Sequence, residues 1–434
     1  MSARMRTAGL LVLLAATPGG AATTAVTGGT VHPISAPAIE GGTVVFTDGA
    51  LVAVGAAGEV EIPAGAEIVD AKGRHVWPGL IDLHTSLGLI EIGSVRGTVD
   101  TDEVGRLNPN ARAEVALNAS SPHLPVTRAN GTLLAATLPR GAVLPGTAAL
   151  IALDGWTWEE LVRRAPLGLV IEWPDMNPNP RRRGGDEEES ADRPAGWETE
   201  LARLDSMFDE AEAYRADRAR RNTDRDADVA WESMLPVLAG EVPVWIQAQT
   251  LAQVRAALDW TERRGLSMVL LDGTDGTSGD AWLVADEIAA RGIPVVCKTT
   301  RRPARTYEPY DLSYSEPAKL HAAGVKVAFG SRGASNARVL PQEAARAVAY
   351  GMPRDAVERG LTLTAAEIAG VADRYGSLDP GKSATLIVVD GDLLETRMHV
   401  ERAWLDGAEV DLSSHHTELW KKWSSRPRPE AAAK

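Results

Sequence analysis

Short β-branched runs broken by Gly and Asp fill the segment from Ala25 to Trp77. Thr43-Val44-Val45-Phe46, Leu51-Val52-Ala53-Val54 and Ile68-Val69 are separated by turn signals at Asp48-Gly49 and Lys72-Gly73. This alternation predicts a small antiparallel β-unit. From Pro78 the rhythm changes to apolar strand followed by helix. Strands are predicted at Leu80–His84, Thr132–Thr137, Ala148–Leu153, Leu167–Glu172, Pro243–Ala248, Ser267–Asp272, Ile293–Cys297 and Val325–Gly330. Helical patterns follow several of them, at Leu251–Arg264, Asp280–Arg291, Pro317–Ala323 and Gln342–Tyr350. Strands alternating with helices imply right-handed βαβ units and a parallel sheet. Eight such strands over roughly 280 residues fit an α/β fold of the (β/α)8 barrel type. The third strand has a second reading, because Asp154-Gly155 could turn a local hairpin.

Residues 175–228 interrupt the rhythm. Arg181-Arg182-Arg183-Gly184-Gly185 and Asp186-Glu187-Glu188-Glu189 predict a solvated loop. Behind it, Glu198–Arg221 is charged, with apolar positions at Leu201, Leu204, Met207, Phe208, Ala211 and Tyr214, the spacing of a surface helix with one narrow buried face. After Leu361, short strands return at Thr385–Val389 and Val400–Leu405 and are expected to complete the N-terminal β-unit, giving a small β-sandwich built from both chain ends. The expected layout is therefore 23–77 and 361–411 around a barrel at 78–360, with a polar tail at 412–434.

The first 22 residues carry Arg4 and Arg6, an apolar stretch from Ala8 to Ala16, and small residues around Gly19 to Ala22, the order of a secretory signal. The mature protein is expected to be exported, periplasmic or secreted. The one cysteine, Cys297, rules out an intrachain disulfide framework, so the exported fold must rest on core packing. A formal net charge of -14, from 59 acidic against 45 basic side chains, argues against a general nucleic-acid binder. No apolar run reaches the ~20 residues of a spanning helix, so no membrane insertion is expected once the signal is removed.

Val76-Trp77-Pro78-Gly79-Leu80-Ile81-Asp82-Leu83-His84 resembles the strand-one signature of the amidohydrolase superfamily, V-x-P-G-L-I-D-x-H-x-H. Leu361-Thr362-Leu363-Thr364-Ala365-Ala366-Glu367-Ile368-Ala369-Gly370, followed by Gly376-Ser377-Leu378-Asp379-Pro380-Gly381-Lys382, is similar to the end of imidazolonepropionase-like members. Asp272-Gly273-Thr274-Asp275, with Val284-Ala285-Asp286 and Gly292-Ile293-Pro294-Val295, resembles their strand-six region. The resemblance implies a metal-dependent hydrolase barrel carried on a small β-sandwich. It also implies a site of two histidines after strand one, a carboxylated lysine or glutamate after strand four, single histidines after strands five and six, and an aspartate after strand eight. Such a site holds divalent ions that lower the pKa of bound water to about 7.

Mapped onto those positions, His84 is present, but the second histidine is Ser86 and strand four offers only Glu172. Gln247-Ala248-Gln249 stands where the family reads H-A-H, the strand-six histidine is Asp272, and Arg332 falls where the catalytic aspartate is expected. A ligand set of His84, Asp272, Glu172 and Gln247 would be rich in oxygen and suit one manganese, calcium or magnesium ion better than zinc. No metal is the alternative, since a guanidinium at Arg332 would repel a dication and could pair with Asp272 instead. Arg332 and Asp272 are the candidate catalytic groups, and Ser86, Gln249 and His123 the candidate substrate contacts.

Other residues carry blander expectations. His321, His399 and the pair His415-His416 are assigned no role, and Cys297 is expected to be a small core residue although Lys298 beside it could lower its pKa. Trp156, Trp158 and Trp173 could line a pocket or pack under a loop, and the glycine-rich run from Gly273 to Gly279 reads as an ordinary βα turn. Two functions remain: an exported hydrolase of non-peptide C–N bonds, amide or cyclic amide, acting through metal-activated water, or a catalytically inactive relative that uses the barrel mouth to bind a small molecule. The oligomeric state stays open.

Overall fold

Strands from the two ends of the chain pair into one sheet. In the computed structural model, which describes residues 23–176, 196–221, 227–273, 279–298 and 308–427, the N-terminal strands are β1 (Thr23–Val31), β2 (Ile39–Thr47), β3 (Ala50–Gly55), β4 (Glu67–Asp70) and β5 (His75–Pro78). The eight barrel strands are β6 (Leu80–Thr85), β7 (Thr132–Thr137), β8 (Gly146–Ala152), β9 (Val162–Glu172), β10 (Val244–Ala248), β11 (Met268–Asp272), β12 (Val295–Cys297) and β13 (Val327–Phe329). The C-terminal strands are β14 (Leu386–Val389), β15 (Val400–Leu405) and β16 (Ala408–Glu409). The expected signal at 1–22, most of the charged insertion and part of the glycine-rich turn lie outside the described residues.

The two-ended sheet runs β16-β15-β14-β5-β1-β2-β3, with β4 beside β1. Its central joint is antiparallel pairing of β14 with β5, which sets Leu386 opposite Pro78 and Val389 opposite His75. Val26, Val44, Phe46, Val76, Leu386 and Trp404 fill its core. Because β5 runs directly into β6, this joint fixes where the barrel begins.

The second sheet has all eight predicted barrel strands in sequence order, β6 to β13. One differs in direction. β8 is antiparallel to both β7 and β9, so the hairpin reading around Asp154-Gly155 holds and the wholly parallel sheet does not. The cause is connection length. A parallel crossover needs about a dozen residues or more, and neither 138–145 nor 153–161 is long enough to hold a full crossover helix, so the chain turns back on itself. The remaining neighbours, from β9 to β13 and from β6 to β7, are parallel. The barrel is nearly closed, and the β13–β6 seam is made by residues just past β13.

The insertion's helix spans Gly196–Arg221. Leu204, Met207, Phe208 and Ala211 are buried, as the apolar spacing predicts. Phe208 meets Trp260 edge-on at 5.0 Å, Trp260 meets Trp173 at 5.8 Å, and Arg264 lies over both Phe208 and Trp260 while binding Asp205. The helix thereby covers the outer face of helix Leu251–Arg264, a closing layer over the barrel.

Packing between β9 and β10 is tight enough to test. A Cβ on Gly168 would lie 2.1 Å from Cδ1 of the fully buried Trp245. Gly168→Ala is expected to cost about 1–3 kcal/mol of overpacking, read as a lower urea midpoint. An unchanged midpoint would show that the Trp245 ring has room to turn away.

Candidate functional site

The mouth is organised by the end of β6. Asp82, fully buried, accepts through Oδ1 the backbone N–H of His84 (3.1 Å) and that of Ser331 (3.0 Å), which lies just past β13. The Arg332 N–H donates to the His84 carbonyl at 2.5 Å, and the Ala334 N–H donates to the hydroxyl of buried Ser86 at 3.3 Å. At Gly330 a Cβ would fall 2.5 Å from that of His84, so glycine is needed for the chain to pass this close. Together these contacts close the barrel between its first and last strands.

Arg332 is held in a strained backbone, with φ at 64° in the left-handed region that non-glycine residues rarely adopt. Its side chain is buried and crosses the mouth, donating from Nη1 to the Gly273 carbonyl at 2.6 Å. Arg332 thus ties the seam to the end of β11, one residue beyond Asp272. Burial, and then the charges of Arg332, Lys298 and Arg140, hold the half-buried His84 imidazole well below its usual range. It is neutral at neutral pH, with the charges of Arg332, Lys298 and Arg140 all acting to keep it so. Those groups come from neighbouring strands: Lys298 follows β12, Arg332 follows β13, His84 lies on β6 and Arg140 follows β7.

Asp272, also buried, is occupied otherwise. Its carboxyl shares a hydrogen bond with that of Glu316 on helix Leu312–Ala322 and accepts the N–H groups of Gly279 (3.3 Å) and Ala281. Burial pushes its pKa up, against the hydrogen bonds from Glu316, Gly279 and Ala281. Burial, together with Glu316 and Asp272, also drives the Cys297 thiol well above its ordinary value, opposite to the influence expected of Lys298. Cys297 is an inert core residue, as the sequence suggested.

The other candidate residues spread around the rim. Glu172 is half-buried and accepts the Gly141 N–H at 3.2 Å. Gln247 and Gln249 are half-buried at and just past the end of β10. Buried Gln253, which sequence reading passed over, accepts the N–H groups of Gln249 and Thr250 and donates to the carbonyls of Trp173 and Pro174, stitching β9 to β10 at the mouth. His123 bonds the Glu91 carbonyl, and Glu91 also holds Ser121 and Asn118, so this histidine locks a loop. Trp156 is 91% exposed, and Trp173 packs on Trp260 in the core. Glu316 and Asp82 were missed in different ways. Asp82 stands in the strand-one motif two residues before His84, whereas nothing local marks Glu316.

The Amidohydrolase family model matches residues 315–419. The imidazolonepropionase of Mesorhizobium japonicum is 26% identical over 81% of this chain and 87% of its own length. The amidohydrolase tasK of Hapsidospora irregularis is 23% identical over 80% of this chain, which spans only 37% of that longer relative. A solved amidohydrolase from Thermotoga maritima superposes with a TM-score of 0.77 at 26% identity, covering 89% of this chain and 99% of that one. In sequence and in fold the chain is similar to members of the amidohydrolase superfamily. Amidohydrolases are usually metal-dependent, and an adenosine deaminase from Xanthomonas campestris, with the same fold at a TM-score of 0.52 and 18% identity over 93% of this chain and 98% of its own, has bound zinc.

This member's donors do not fit such a centre. All eight histidines fall within the described residues, and His84 is the one on a barrel strand: His32 and His75 stack beside the two-ended sheet, His123 bonds the Glu91 carbonyl, His321 sits on an outer helix, His399 bonds Asp390, and His415 and His416 are exposed. Among the described residues no three His, Cys, Asp or Glu side chains are placed to hold an ion. Asp272 is engaged with Glu316, and three cations surround His84.

Burial raises the Asp82 carboxyl from its ordinary value to about 7, against the hydrogen bonds from Ser331 and His84. The folded chain therefore keeps a proton that the unfolded chain releases near pH 4. The stabilisation is full below that pH and is lost as pH rises through about 7. Asp82→Asn keeps the accepting oxygen and removes the titration. Between pH 5 and pH 8 the unfolding free energy from urea titration is expected to fall by about 2–3 kcal/mol more for the wild type than for the variant. Parallel profiles would mean that Asp82 titrates in its ordinary range.

Proposed function

We propose that this exported amidohydrolase-superfamily protein uses its barrel mouth to bind a small anionic organic molecule, without the metal-activated water of its relatives. The observation that carries this reading is Arg332. Its backbone is pinned to His84 and its guanidinium spans to Gly273, at the head of an arc of positive groups completed by Lys298 and Arg140. A planar guanidinium recognises a carboxylate through paired, charge-assisted hydrogen bonds. Low-dielectric barrel walls concentrate the field of such an arc. In a chain of net charge -14, this local sign reversal favours an anionic group. Gln247 and Gln249, half-buried at and just past the end of β10, supply polar contacts suited to a ligand's uncharged end.

The relatives' activities favour a second reading, hydrolysis of a non-peptide C–N bond, amide or cyclic amide. It needs a divalent ion that His84 would hold with Glu172, Gln247 or Asp272. The engagement of Asp272 with Glu316 and the cations beside His84 weigh against it.

Titration calorimetry of the mature chain against mono- and dicarboxylates, N-acyl amino acids and sugar phosphates separates the two. Carboxylated compounds are expected to bind and their neutral amides to fail. Arg332→Gln is expected to weaken binding at least tenfold, as loss of a charged hydrogen bond requires. About one tightly held divalent ion per chain, lost together with amide turnover in His84→Ala, would establish the hydrolase instead.

A further inference from the structure

The C-terminal segment, expected to be a polar tail, forms helix His415–Ser424, and none of its residues is buried. Its start is secured to the body. Ser414 is buried and forms a reciprocal cap with Thr417, while the Arg128 guanidinium donates to the Asp411 carbonyl at 2.7 Å. Positions 416, 419, 420 and 423 follow helical spacing along one face. There Leu419 is 37%, Trp420 71% and Trp423 57% exposed. Exposed Lys421 and Lys422 flank this stripe, and the Lys422 ammonium lies 5.2 Å over the Trp423 ring. With Arg426 just beyond the helix, basic side chains outnumber the lone acidic Glu418, in a chain whose overall charge is -14.

We propose that this helix lays its tryptophan face on an anionic phospholipid surface, as a peripheral contact rather than a span. Two tryptophans and a leucine bordered by lysines are the composition of an in-plane interfacial helix: indole rings sit at headgroup depth while ammonium groups reach lipid phosphates. A second copy of the chain fits less well. The apolar side chains present on the order of 300–400 Å², whereas a stable protein interface buries about 800 Å² per partner. The charge pattern points the same way, because anionic lipid complements this end of the molecule and repels the rest of it, so the helix must lead the approach.

Co-sedimentation of the mature chain with phosphatidylglycerol-containing vesicles, with pure phosphatidylcholine vesicles as the reference, tests this. Binding is expected to the former at low salt and to be released as salt rises. A Trp420→Ser and Trp423→Ser double variant is expected to lose at least tenfold in partitioning. A Lys421→Glu and Lys422→Glu variant is expected to lose roughly fivefold or more per charge. Since no helix side chain is buried, both variants should keep the wild-type melting temperature. Failure of the wild type to sediment with anionic vesicles at low salt overturns the proposal, as does sedimentation unchanged in the tryptophan variant. So does concentration-dependent self-association abolished by that variant, which would show that a second copy covers this face. The mouth plays no part in these readouts.

Discussion

The carboxyl of Asp82 accepts backbone N–H groups from both sides of the barrel seam, from His84 on the first strand and Ser331 after the last, and the mouth takes its shape from that joint. No regular ladder joins β13 to β6, so the seam depends on this carboxyl and on the Arg332 N–H at the His84 carbonyl. A buried carboxyl is costly to ionise. The closure therefore works best while Asp82 keeps its proton, and the same group that completes the barrel makes its stability depend on pH.

Charge placement follows from this closure. With Ser331 fixed on Asp82, the next residue is forced into a left-handed turn and its side chain is directed over the mouth, where it meets Gly273. A cation so fixed lies between the His84 carbonyl and the end of β11. The acidic residue of strand six finds its partner in Glu316, and burial raises its pKa. A single histidine, a buried arginine and the engagement of Asp272 with Glu316 are mutually consistent: each makes a divalent ion less favourable at this mouth.

The parts beyond the mouth show the same economy of local causes. Short connections on either side of β8 reverse one strand, and the long helix Gly196–Arg221 shields the Trp173–Trp260 aromatic cluster where the insertion leaves the barrel. At the far end of the chain, helix His415–Ser424 is capped and anchored only at its base, which leaves its aromatic face outside the fold.

Strand positions were legible because apolar periodicity is local. All eight barrel strands, the two-ended β-unit and the narrow buried face of the insertion helix follow from residue spacing. The residue types Ser86, Gln247, Gln249 and Arg332 were equally readable, since identity at a position needs no fold. The direction of β8, the reach of Arg332 to Gly273 and the contact of Asp272 with Glu316 were not readable. Each depends on which distant residues the barrel brings within hydrogen-bond reach. A buried charge is settled by its three-dimensional neighbours and by the cost of leaving it without them, and only the tertiary structure decided those.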